Sequence, residues 1–138
     1  MGGWAECCPY LAPFSTVDRL DFSNDTDNMV AKAALTAYMR GFSSFTHGYT
    51  AGGYAPAVSA VVSTIDRIDY ASDTTAQTAK GPLETAVSSN NVGLHNTDYG
   101  YSVGGSDNSN TFTSYNQRLD FANDTTTASP KGLSLIHI

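Results

Sequence analysis

The side chains of this 138-residue chain that could do chemistry are three histidines, thirteen carboxylates and two cysteines. Paired carboxylates offer general acid–base catalysis. Histidines with tyrosines offer a transition-metal site, which needs several ligands converging on one point. A thiol pair offers redox or zinc chemistry. The spacing supports none of these. His47 directly precedes Gly48-Tyr49, His95 stands five residues before Gly100, and His137 is next to last. Cys7 and Cys8 are adjacent, a geometry strained for a mutual bridge, and no second pair completes a zinc set. There is no Gly-x-Ser-x-Gly elbow and no phosphate loop. Asp18, Asp21, Asp25 and Asp27 are close in sequence, but EF-hand spacing is missing. The expectation is a chain without catalytic residues, metal or cofactor.

What organises the charges is repetition. Ser15-Thr16-Val17-Asp18-Arg19-Leu20-Asp21-Phe22-Ser23-Asn24-Asp25-Thr26 returns at 63–74 and again at 114–125. Arg19, Arg67 and Arg118 are thus 48 and 51 residues apart. Asp21, Asp69 and Asp120 recur with them, as do Asp25, Asp73 and Asp124. Each copy carries a lysine seven residues after the last of these: Lys32, Lys80 and Lys131. Between the copies, Gly48-Tyr49-Thr50-Ala51-Gly52-Gly53 returns as Gly100-Tyr101-Ser102-Val103-Gly104-Gly105, and Gly2-Gly3-Trp4 resembles its end. Six of the seven cations sit at recurring positions, Arg40 being the exception. Charges placed by an architectural period read as scaffold.

The elements that position them read as strands. Leu20 and Phe22 alternate with Arg19 and Asp21, the period-two pattern of a half-buried strand. Arg and Asp at i and i+2 share a face, where they can pair with each other or with groups on a neighbouring strand. Asn24-Asp25-Thr26, Ser72-Asp73-Thr74 and Asn123-Asp124-Thr125 read as hairpin turns. The first and last also fit the glycosylation acceptor pattern, but a turn role suffices for them. A further strand is expected through Thr75–Ala79, ended by Gly81-Pro82. The Gly-Tyr-x-x-Gly-Gly motif reads as a strand closing on a glycine turn. Met29 to Met39 has helix propensity, yet its counterpart in the next copy contains Gly81-Pro82, so the repeat points to strand.

Composition narrows the function classes. Charged residues are 14% of the chain, against about 25% in ordinary domains. The net charge of -6 argues against nucleic acid, which needs clustered cations. No apolar run approaches the ~20 residues of a membrane span. The start, Met1 to Glu6, carries no basic region followed by an apolar stretch, so no signal peptide is expected.

A period of about 50 residues, with strands closing on Gly52-Gly53 and Gly104-Gly105 and segments running from Asp21-Phe22 to Thr26 and from Asp69-Tyr70 to Thr74, resembles kelch-type β-propeller repeats, which also build galactose oxidase-like proteins. The tryptophan that such repeats commonly carry in their fourth strand is absent. The wording Asp-Arg-Ile-Asp-Tyr with Asp-Thr and Lys-Gly-Pro-Leu is also similar to tandem repeats in marine phage and metagenomic reading frames. The resemblance implies an all-β array of antiparallel four-stranded blades. The whole of 1–138 then counts about two and a half repeats: the end of one in 1–13, full copies in 14–62 and 63–113, and a partial one in 114–138 whose tail, Leu133 to Ile138, departs from the pattern. It also implies a non-catalytic binding or structural module, virion-associated if the phage likeness is followed. The alternative it leaves open is a piece of a galactose oxidase-like copper enzyme. Binding falls to the variable segments after each Gly-Gly, where Tyr10, Tyr54, Asp107 and Asn108 suit a protein or glycan partner. Self-association through open blade edges is expected as well.

Overall fold

Alternation around the Arg-x-Asp segments becomes β-strand in each copy. A computed structural model describes residues 16–19, 23, 30–34, 40–55, 58–72, 77–88 and 90–133. Twelve strands occur among them: β1 (Thr16–Arg19), β2 (Val30–Ala34), β3 (Arg40–Ser43), β4 (His47–Ala51), β5 (Tyr54–Ala55), β6 (Ala60–Val61), β7 (Ile65–Asp69), β8 (Thr78–Ala79), β9 (Asn91–His95), β10 (Tyr99–Gly104), β11 (Tyr115–Asp120) and β12 (Ser129–Leu133). The helical pieces among the described residues are two 3-10 turns, Tyr70–Ser72 and Phe121–Asn123. The fold is all-β and every pairing is antiparallel.

Two four-stranded sheets carry the architecture, in the orders β3-β4-β7-β8 and β9-β10-β11-β12. Each is a meander, and neither closes into a barrel. In the first, the small hairpin β5-β6 is inserted between β4 and β7. In the second, the same place holds a loop pinned by a bridge between Ser106 and Phe112. A separate pair, β1-β2, precedes them. Val30–Ala34 is therefore strand, as the repeat requires and against its helix propensity; residues 35–39 lie outside the described residues. The expected strand through Thr75–Ala79 is described only at Thr78–Ala79. Each sheet is out of phase with the sequence unit: the first runs from Arg40 to Ala79 and draws on both 14–62 and 63–113.

The glycine motif behaves as its composition predicts. β4 ends at Ala51, and Gly52 and Gly53 follow with φ of +69° and +109°; Gly104 and Gly105 match them at +70° and +106°. A side chain at these positions would be strained.

The sheets meet through their first strands, β3 lying against β9 and β10. At this crossing Gly93 faces the backbone of Gly41, and Gly100 faces the ring of Phe42. The core between the sheets is Phe42, Tyr49, Ala51, Ile65, Leu83, Val87, Leu119 and Ala128, with Phe121 packed against it. Tyr49 stacks on Phe121 with ring centroids 5.0 Å apart and on Phe42 at 5.7 Å. The segment 80–88, which leads from β8 back to β9, is stitched to both sheets. Lys80 and Leu83 donate their N–H to Ile65 and Ser63, while Val87 accepts from Gly53. Buried Gln117 takes Thr85 with both ends of its amide, at 2.8 and 2.9 Å.

Candidate functional site

Two arrangements use the recurring and variable residues: a charged cluster between the sheets and a pair of loops at their glycine ends. The cluster centres on Asp124, whose side chain is 8% exposed. Its Oδ2 accepts from Arg67 Nη1 at 2.8 Å and from the Tyr49 hydroxyl at 3.0 Å, and Lys80 Nζ stands 3.3 Å from Oδ1. The Asp124 carbonyl accepts from the Gly81 N–H at 2.9 Å. Arg67, Tyr49 and Lys80 belong to the first sheet and its exit segment, whereas Asp124 belongs to the second. The recurring charges therefore do not pair along one strand.

Of the two alternatives open to the Arg-x-Asp pairs, pairing within the strand is the one Arg67 does not use. Asp69 and Asp120 instead accept from the N–H of Ala71 and Ala122, both at 2.9 Å, and so start the 3-10 turns. Asn123-Asp124-Thr125 lies, as expected, in the connection of the β11-β12 hairpin. It ends a 3-10 turn and reaches back into the interface, where Ala128 N–H meets the Pro82 carbonyl at 2.8 Å. A buried carboxylate needs charged and hydrogen-bonding partners on every oxygen, and only the neighbouring sheet offers them. Asp21, Asp25 and Asp73 lie outside the described residues; Arg19 is exposed at the end of β1.

Tyr49 records the field of this cluster. Burial raises its phenol to about 12, and the hydrogen bond to Asp124 and the charge of that carboxylate push in the same direction. The native state thus holds this proton after the unfolded chain, with an ordinary value near 10, has released it. The stability owed to Tyr49 is complete below pH ~10 and is lost as pH rises toward ~12. Ultraviolet titration of the native chain is expected to show a tyrosine ionisation step near pH 12, and Tyr49→Phe removes that late step.

The loop end contains the sequence-derived binding candidates. Val61 N–H donates to Asn108 Oδ1 at 2.6 Å, which brings the β5-β6 hairpin against the Ser106–Phe112 loop. Asp107 organises its own turn, its Oδ1 accepting from Ser109 N–H at 2.8 Å and Thr111 N–H at 3.0 Å. Tyr54 is 37% exposed on β5. Three of the four candidates are thereby gathered at one end; Tyr10 lies outside the described residues.

No protein-family model matches this chain, and no curated protein is significantly similar to it. Its function must be read from geometry. Among the described residues, no group of three or more His, Cys, Asp and Glu side chains is placed to hold a metal ion. His47 bonds Thr46 Oγ1 through Nδ1 at 2.7 Å, and His95 stands apart at the end of β9. No helix among the described residues is long and apolar enough to cross a membrane.

Two exposed aromatics escaped the sequence reading. Phe112, 72% exposed, borders a groove with Arg40, Asn90 and Val92 at the loop end. Phe45, 86% exposed, borders another with Ser43, His95 and Thr97 at the opposite end, between the β3-β4 and β9-β10 turns. Each sits among Ser, Thr and Asn. A lone aromatic in a polar stretch is the signal that could have singled them out, since such a residue buries little locally.

Proposed function

We propose that this chain is a run of kelch-like, propeller-type repeats that serves as a non-catalytic binding or structural module for a protein or glycan partner. The observation that carries the reading is the pairing of the two loops that follow the Gly-Gly turns. They differ in sequence and length, they stand side by side through Val61 and Asn108, and the frame beneath them repeats. Variable loops on a repeated rigid frame are how such folds acquire specificity without changing architecture. Four-stranded meanders in series, with the last strand of one leading back to the first strand of the next, support the propeller-type part of the reading. A virion-associated setting rests on the likeness of the repeat wording to phage sequences.

The test is a binding screen of the full chain on glycan and protein arrays, with metal analysis of the same preparation. A reproducible ligand class is expected, with its signal reduced about tenfold by the double substitution of Tyr54→Ala and Phe112→Ala. No ligand above background would sink the binding role. Stoichiometric copper with oxidase turnover would replace it by the enzyme reading.

A further inference from the structure

The contact between the two sheets has an unfilled twin on the outer face of the second. Tyr101, Arg118 and Lys131 follow Tyr49, Arg67 and Lys80 by 52, 51 and 51 residues. The register repeats with them. Tyr49 pairs with Arg67 and Phe42 in the first sheet, and Tyr101 pairs with Arg118 and Leu94 in the second. In the first sheet this set is covered: Phe42 is 7% exposed, Tyr49 3%, and Asp124 joins the charges. In the second sheet Leu94 is 54% exposed and Lys131 lies open to solvent. The Arg118 guanidinium rests on the Tyr99 ring, 4.0 Å from its centroid, and its buried Nε has no hydrogen-bond partner. Among the described residues, no carboxylate pairs with Arg118 or Lys131.

We propose that this face is a receptor for an Asp-Thr segment of the same repeat, and that its occupant is the Asn24-Asp25-Thr26 segment of a second copy of the chain. The molecule already contains the complementary fit once, between Asp124 and the first sheet. Arg19 to Thr26 reproduces Arg118 to Thr125 at every position except Ser23, which stands for Ala122. In sequence, Leu20, Phe22 and Asp25 stand where the docked copy has Leu119, Phe121 and Asp124. Arg19 and Lys32 precede Asp73 by 54 and 41 residues, close to the 57 and 44 by which Arg67 and Lys80 precede Asp124. One copy thus supplies both a docking segment and a receptor. Such a contact is heterologous and adds copies head to tail. It joins copies face to face rather than through strand edges, and it leaves the loop end free.

Sedimentation velocity of the full chain over a range of concentrations tests this. The wild-type chain is expected to show a concentration-dependent series of species. Asp25→Asn and Arg118→Gln each weaken it roughly tenfold. Arg118→Gln melts within a few degrees of the wild type at low concentration, because it gives up the Tyr99 ring contact but no internal carboxylate. The charge-reversed chains Asp25→Arg and Arg118→Asp stay monomeric alone and associate when mixed. A wild-type monomer at all concentrations overturns the proposal, as does association that survives either single substitution. Loss on Arg118→Gln but not on Asp25→Asn overturns the assigned occupant, and a mixture that fails to associate overturns the pairing.

Discussion

Asp124→Asn is expected to lower the folding stability of this chain by about 3 kcal/mol, the range for removing one partner from a buried ion pair. The amide keeps the size of the carboxylate but not its charge. Arg67 and Lys80, whose side chains are 27% and 10% exposed, are then left facing each other in a site that water reaches poorly. The amide has one oxygen, so it can no longer accept both from Lys80 and from the Tyr49 hydroxyl with Arg67. Urea unfolding measures the effect as a fall in midpoint of about 1 M or more at ordinary slopes. A triple variant, Asp124→Asn with Arg67→Met and Lys80→Met, is expected to recover part of the loss, because it removes the uncompensated charges as well. A single variant within experimental error of the wild type would show that Asp124 does not hold the sheets together.

Gly93→Ala should cost a similar amount for a different reason. A β-carbon there collides with the Gly41 carbonyl oxygen, and the obstacle is backbone rather than a side chain that can turn away. β3 and β9 would have to move apart, opening the core at Phe42. Overpacking of this kind costs about 3 kcal/mol at the upper end of its usual range, or roughly 10 °C in melting temperature for a chain of this size. Val92→Ala, next to it on the same strand but 55% exposed, is the control and should melt within a few degrees of the wild type. Equal melting of the Gly93 variant and the wild type would mean that the two first strands are not in contact in solution.

Much of the fold was legible because its signals are local. Alternation around Arg67 and Arg118 gave β7 and β11, and the Gly-Gly pairs marked the ends of β4 and β10 through the backbone angles that glycine permits. The repeat also decided correctly between helix and strand at Val30–Ala34, where propensity alone pointed the other way. What stayed hidden was partner choice. The alternation places Arg67 and Asp69 on one face and invites a bond between them. Choosing Asp124 instead requires knowing that the next sheet folds its turn back into the interface, and period-two reasoning does not reach across 57 residues. The same holds for the candidate site. Variable loops could be found by comparing copies, but that Asn108 braces Val61 while Asp107 folds onto its own turn is a matter of a few ångströms. Phe112 lies in one of the variable segments and Phe45 outside them, and apart from their polar neighbours nothing local in either stretch marks the ring as exposed.

The Asp124 cluster also imposes an order in time. Tyr49, Arg67 and Lys80 precede their acceptor by 75, 57 and 44 residues, so a chain made from its N-terminus exposes the three donors before the carboxylate exists. The first sheet can form its strand pairs during that interval, yet its inner face stays uncovered, with the Phe42 and Tyr49 rings lacking Phe121. Contacts so distant in sequence close late. The first sheet is thus a provisional structure until the turn after β11 is synthesised, and the carboxylate that completes it arrives as part of the second.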